Sequence, residues 1–306
     1  MRKAAALALV FTVALSLFAY KASAQSASGP PHDKPFWRAI AENKYQIPPY
    51  EKPFALAQEL SSYLGSSDPE LRDDLAYTIL TMWIVRRQQF STEELLHLEE
   101  EWSANLRAAI GETGTDSVFK RSFSALCLSS LAERELKTPF LGEARYRRLL
   151  DSAIVYLGDE KDLRGFDARK GWIHATAHTA DLLAALAANS LLTRRDQAAV
   201  LKAISARFST ADTVFTYGEQ DRLANVVSVI AARSDFDSDT FQQWLAETDA
   251  TDQTVWKDSP PKLAALMHFE NDSYMLRGLI VQLLQRPSSS ASLEVQKAVL
   301  KSLERR

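Results

Sequence analysis

Cysteine is almost absent from this chain. A single thiol, Cys127, occurs in 306 residues, so no intrachain disulfide can form, and a chain of this length must hold itself together with a buried core. Cys127 lies in the apolar run from Phe123 to Leu131 and is expected to be a buried, inert thiol rather than a nucleophile. Glycine is also scarce, with ten in all. None fall into G-x-x-x-x-G-K or G-x-G-x-x-G, which excludes the usual phosphate cradles. Sustained two-residue alternation bounded by Asn-Gly or Asp-Gly turns is missing, so strands are not expected. An excess of positive charge is missing too. The formal charge is -3, which gives no electrostatic footprint for nucleic acid or another polyanion.

What is present begins with a processing signal. Met1, Arg2 and Lys3 precede a continuous apolar run from Ala4 to Tyr20, and Ala22-Ser23-Ala24 supplies the small residues a signal peptidase reads. Residues 1–24 are therefore expected to be a signal peptide cut before Gln25, with an uncleaved anchor as the alternative because Lys21 interrupts the approach to the cut. Gln25 is not a cysteine, so no lipid anchor is indicated. Without residues 1–24 the formal charge falls to about -6. No later stretch is long and apolar enough to span a bilayer, so the chain is expected to be exported, to the periplasm or beyond the cell. Residues 25–35, QSASGPPHDKP, read as a flexible leader in which His32 is solvated, and 36–306 as a single helical-repeat domain.

That domain is a succession of helix-length segments. Asp68 can cap a helix, Pro69 suits its first position, and Leu71, Leu75, Ile79 and Met82 recur at helical spacing. Ser91-Thr92-Glu93-Glu94 is a capping box. Thr115 or Asp116 opens a third helix through Phe123, Leu126 and Leu131. Breaks follow at 138–139, 209–213, 258–261 and 287–290. Comparison of the helix openings brings out basic residues at 72, 121, 170, 222 and 277, about 50 residues apart, a period that fits two helices and two turns. The expected architecture is all-α: a HEAT- or armadillo-like solenoid of helix pairs, or alternatively an α/α toroid.

One segment departs from its sisters. In Lys161–Ala188, His174, His178 and Asp181 stand at i, i+4 and i+7, on one face of a helix. His174 aligns with Ala76, Ala125, Val226 and Val281, and His178 with Leu80, Ser129 and Ile230, so two imidazoles occupy positions that are mostly small or apolar elsewhere. Breaks of that kind mark functional or strained sites. Three readings stay open: a buried polar network tying repeats together, a metal site of His174, His178 and Asp181, or acid–base or binding chemistry in a groove. H-x-x-x-H lacks the glutamate of H-E-x-x-H, and no metal and no cofactor are expected. His97, in an acidic segment, reads as a solvated face, and His268, beside Met267, as packing. Trp37, Trp83, Trp102, Trp244 and Trp256 read as packing too. No G-x-S-x-G elbow occurs.

Several ordered motifs carry a family resemblance: Glu160-Lys161-Asp162-Leu163-Arg164-Gly165-Phe166, Lys170-Gly171-Trp172-Ile173-His174, Ala177-His178, and Ala180-Asp181-Leu182-Leu183. With Leu71–Tyr77, Ser117-Val118-Phe119, Arg121–Ser124 and Glu219–Leu223, they resemble an uncharacterised bacterial family, domain of unknown function 2785, over roughly 55–235. That family's commoner form has glycine where Thr179 stands. The resemblance implies a shared groove and no particular chemistry. The matching polar residues Arg72, Asp73, Arg121, Asp162, Arg164, Lys170, Trp172, His174, His178, Asp181, Glu219 and Arg222 gather near helix beginnings and are expected to line one rim. The leading expectation is a groove binding a ligand, peptide or protein partner. The alternative is a hydrolase or lyase acting on cell-envelope or carbohydrate material with the same residues. For Arg72, Arg121 and Arg222 the competing role is to bond an acid or a helix C-terminus in the next repeat.

Overall fold

The computed structural model describes residues 32–286 and 289–306. The expected signal peptide and most of the expected leader lie outside the described residues. His32 does not behave as a solvated residue: its Nδ1 pairs with Glu59 at 2.8 Å and its ring stacks on Phe36. Asp33 caps the first helix and Pro35 suits its opening turn, so regular structure starts inside the segment read as leader.

The helices are α1 Lys34–Glu42, α2 Pro53–Tyr63, α3 over 70–86, α4 Thr92–Asn105, α5 Ser117–Lys137, α6 Gly142–Asp159, α7 Ala175–Ala187, α8 Arg194–Ser209, α9 Glu219–Ala231, α10 Ser238–Asp252, α11 Leu263–Leu284 and α12 Ser290–Leu303. Within α3, π turns over Glu70–Tyr77 and Met82–Arg86 flank α-helical Thr78–Thr81. The expected starts are met by geometry. Asp68 Oδ1 accepts the amides of Glu70 and Leu71, and Ser91 and Glu94 close a reciprocal capping box; α5 opens after Asp116 without a cap bond from its side chain, while the Thr115 hydroxyl accepts the Ser117 amide. The described residues hold one pair of two-residue strands, β1 Phe166–Asp167 and β2 Gly171–Trp172, antiparallel with Phe166 opposite Trp172. No helix among the described residues is long and apolar enough to cross a membrane.

Composition sets which helices lie inside. From Arg121 to Ala132 every residue of α5 is buried, and α7 is buried except at Asp181 and Ala185. A helix apolar or small on all sides must be covered on all sides. Accordingly α5 packs on α3, α4 and α7, α7 on α6 and α9, and α9 on α11, while α6 packs on α8, α8 on α10, and α10 on α12. Arginines, one buried and one half-buried, tie successive helices by binding helix-end carbonyls, where the backbone lacks partners. Arg207 donates to Leu157 O and Glu160 O at the end of α6, and Arg233 to Ala187 O, Asn189 O and Leu192 O beyond α7. Cys127 is fully buried, and burial pushes its thiol up, as an inert thiol requires.

The basic residues do not all mark helix starts. Arg72, Arg121 and Arg222 lie in the first turns of α3, α5 and α9, but Lys170 precedes α7 and Arg277 sits deep inside α11. The reason at 170 is a turn. Asp167 Oδ1 accepts the amides of Arg169 and Lys170 at 2.8 and 2.9 Å, and Gly171 adopts φ +74°, so the chain reverses before it can wind.

Candidate functional site

The β1–β2 hairpin is held down from three sides. Arg72 is fully buried and donates to Ser66 O at 2.8 Å, Lys170 O at 2.7 Å and Trp172 O at 3.1 Å. Its guanidinium lies 4.0 Å from the Phe119 ring centroid and 4.6 Å from that of Phe123, a cation held by carbonyls and aromatic faces. Burial lowers its pKa to about 10. Asp162, almost fully buried, accepts from Gly114 N and from Arg164, which reaches on to Thr115 O. Lys170 Nζ pairs with Asp116 at 2.5 Å. Beneath them Arg121 and Glu160 form a buried ion pair, 2.6 Å at Nε, and Arg121 also binds Ala108 O and Ala109 O just past α4. Asp162, Arg164, Lys170, Arg72 and Arg121 thus anchor the loops around the hairpin.

The hairpin carries the chain into α7 at His174, and the two histidines differ in setting. His174 is the N-cap residue, left-handed at φ 49°, and its carbonyl accepts the His178 amide at 2.8 Å. It therefore stands ahead of the helix on which the sequence pattern put it. A non-glycine residue at positive φ is uncommon and its strain must be held by its surroundings. His174 Nε2 donates to Tyr217 O at 3.1 Å, since a carbonyl can only accept, which leaves Nδ1 as the unprotonated nitrogen. Burial and the charge of Arg222 lower its pKa to about 4, so it is neutral near pH 7. Glu219 Oε1 lies 3.9 Å from Nε2. Glu219 opens α9, and burial pushes its carboxyl up.

His178 lies deeper. Its Nδ1 is 2.8 Å from Ser122 Oγ, and the Ser122 hydroxyl donates to Ile173 O. With that proton committed, Nδ1 is the donor and Nε2 is left with a lone pair. Phe123 meets the His178 ring edge-on at 4.9 Å, and burial holds His178 well below the ordinary histidine range. The Thr179 hydroxyl bonds Ala175 O one turn back.

Three aromatic rings lie over this pair on the outside. Phe166, Trp172 and Tyr217 are 42%, 40% and 48% exposed. Trp172 stacks on His174 at 4.3 Å and meets Phe166 at 4.8 Å, and Tyr217 lies 6.3 Å from Phe166 and 6.4 Å from Trp172. Gly165 makes the cluster possible: a Cβ there would come within 2.3 Å of the Tyr217 ring and 2.7 Å of Glu219 Oε1. Its carbonyl accepts the amides of both Ile173 and His174.

Of the residues expected to line a rim, Trp172, His174, His178 and Glu219 come together. Asp181 and Arg222 pair with each other between α7 and α9, with burial pushing the Asp181 carboxyl up. Asp73 is half-buried on α3, its carboxyl raised by burial. His174, His178 and Asp181 do not form a three-ligand metal group. Their engaged nitrogens and oxygens point at Tyr217, Ser122 and Arg222, and among the described residues the group with such geometry is Asp252, His268 and Asp272. His268, expected to serve packing, belongs to that group. Phe166, though part of the Glu160–Phe166 motif, and Tyr217 were not among the residues expected to line the rim. Tyr217 directly precedes Gly218-Glu219, but nothing local signals that it meets a hairpin more than forty residues earlier.

A family model described as "Protein of unknown function (DUF2785)" matches residues 106–281. The match takes in the hairpin, both histidines, Glu219 and all of α5 to α9, and it begins after Leu71–Tyr77, which also carried the resemblance. No curated protein and no solved structure matches the chain. With more than half of its length matched, the chain belongs to the DUF2785 family of proteins of unknown function.

Proposed function

We propose that this is an exported helical-repeat protein that binds a ligand or partner on the surface formed by Phe166, Trp172 and Tyr217 over His174 and Glu219. The observation that carries the reading is the gathering of three exposed rings above two buried polar groups: Phe166 and Trp172 on a hairpin fixed by Arg72, Asp162 and Lys170, and Tyr217 from the loop before α9. Large aromatic side chains are normally buried, and a contiguous exposed group of them marks an interaction surface. Tyr and Trp dominate binding hot spots because they offer area at little entropic cost. His174 supplies an unprotonated nitrogen, and Glu219 a carboxyl, to fix orientation. The succession of packed odd helices and packed even helices, joined by arginines on helix ends, supports a solenoid of helix pairs as the scaffold.

The test is a binding screen on protein carrying fluorine-labelled tryptophan, with a panel of soluble oligosaccharides and extended peptides. The expected result is a hit that shifts the Trp172 resonance, is lost in Trp172→Ala and Tyr217→Ala, and leaves the melting temperature of those variants near wild type. A second reading, acid–base chemistry on the bound ligand, is favoured by the 3.9 Å separation of His174 and Glu219. It predicts that Glu219→Gln retains binding and loses turnover of the hit.

A further inference from the structure

At the other end of the fold, α10 and α11 bring together three metal-ligating side chains. His268 and Asp272 stand one turn apart on α11 and face Asp252, the last residue of α10. His268 Nε2 lies 2.7 Å from Asp272 and 4.0 Å from Asp252. One ligand atom from each residue falls within 4.8 Å of the others. Donors about 2.0–2.2 Å from a tetrahedral ion stand roughly 3.3 Å apart, so small side-chain rotations close this set around one ion. We infer that Asp252, His268 and Asp272 bind a divalent transition-metal ion.

The second observation is the depth of the two carboxylates against the few donors that reach them. Asp272 is 0% and Asp252 2% exposed, and each carboxylate faces few donors for its depth: Asp272 Oδ2 has the His268 imidazole at 2.7 Å, Asp252 Oδ2 has Arg306, and none of the four oxygens makes a hydrogen bond of good angular geometry. Buried carboxylates ordinarily accept several such bonds. Outside the trio, the cation nearest is Arg306, which contacts Asp252 but also serves Asp249, where Arg305 pairs as well. A divalent cation would give both carboxylates and the imidazole a common partner. One imidazole with two carboxylates favours zinc, iron or manganese over magnesium or calcium, which take all-oxygen shells. Access exists from one side: His268 lines a cavity of about 450 Å³ between α8 and α10, with Ser205, Trp244 and Thr248. The Thr248 hydroxyl, one turn before Asp252, is buried without a partner. That cavity leaves room for water in the remaining coordination positions.

The competing account is that Arg306 beside Asp252 and a protonated His268 beside Asp272 are the built-in counter-ions and no metal binds. The experiment uses the full chain, stripped with a chelator and desalted, then titrated with Co²⁺ and Zn²⁺ alone. The expected result is one equivalent of cobalt with visible absorption bands, displaced by zinc. Asp272→Asn and His268→Gln should each weaken binding by at least about 100-fold, the upper end of the loss seen when a supporting partner is removed. Arg306→Gln removes a competitor and should tighten binding. His174→Gln should leave it unchanged. Absence of stoichiometric uptake by both the wild type and Arg306→Gln overturns the inference, as does uptake that Asp272→Asn and His268→Gln leave intact.

Discussion

Replacing Arg72 with lysine keeps the charge and removes the fork. The guanidinium satisfies three carbonyls, Ser66 O, Lys170 O and Trp172 O, while lying against the rings of Phe119 and Phe123. A lysine ammonium is compact and can satisfy one of these carbonyls at a time from this depth. Two buried carbonyls are then stranded, at about 1–3 kcal/mol each, and the planar contact with the two rings is lost as well. The expected loss is about 3 kcal/mol, which for a domain of this size lowers the melting temperature by roughly 6–12 °C. The effect has a local signature because two of the three carbonyls belong to the hairpin. Amide hydrogen exchange at Ile173 and His174, whose N–H groups bond Gly165 O, should accelerate more than exchange in α5 or α9. Thermal unfolding and exchange mass spectrometry on Arg72→Lys measure both. A melting temperature within about 1 °C of wild type, or a loss of stability with hairpin exchange unchanged, refutes the reasoning that Arg72 pins the site.

Three further perturbations test neighbouring parts of the account. His174 has a folded pKa of about 4 against 6.5. Its contribution to stability is therefore complete above about pH 6.5 and is lost as pH falls toward 4, by about 3 kcal/mol at most. The raised carboxyls of Glu219 and Asp181 act in the opposite sense but are common to both proteins, so the gap in urea stability between wild type and His174→Gln should shrink across that window. Gly171→Ala places a Cβ 2.9 Å from Pro69 Cβ at φ +74° and should cost about 3 kcal/mol in chemical unfolding. Gly111→Ala, at φ +90° in open space, should cost only the conformational penalty of about 1–2 kcal/mol. Glu160→Ala leaves the fully buried Arg121 without its carboxylate and should destabilise by about 3–5 kcal/mol in the same assay.

Helix openings were legible because capping chemistry is local: Asp68 and Ser91 with Glu94 cap as their side chains predict, and α5 opens after Asp116, whose carboxylate pairs with Lys170 in place of capping. The burial of α5 was legible in its unbroken run of apolar and small residues. The left-handed cap at His174 was not, because the period of His174, His178 and Asp181 fits a helix that starts earlier. Asp167 and Gly171 held the contrary signal, an Asx-type turn just upstream. Arg277 shows that spacing alone does not locate a helix start, since α11 opens at Leu263. Which polar residues face a ligand and which hold the frame was also hidden. Arg72, Arg121 and Asp162 have the same chemistry in either role, and only their burial against carbonyls and Glu160 separates them from Trp172 and Glu219. His268 and Asp272 carry a visible one-turn spacing, but their partner Asp252 lies on another helix across the Pro260-Pro261 break.

The most direct test of the proposed site compares Trp172→Ala with wild type for both stability and ligand response. Trp172 is 40% exposed and stacks on His174 without a hydrogen bond of its own side chain, so its removal should leave the melting temperature within about 2 °C, the scale of surface substitutions. The same variant should lose the response to a ligand that shifts the Trp172 resonance of the wild type. The contrary result is a Trp172→Ala protein that unfolds as readily as a core variant, or one that binds the ligand as well as wild type. Either would mean that the exposed rings brace the hairpin and are not the binding surface.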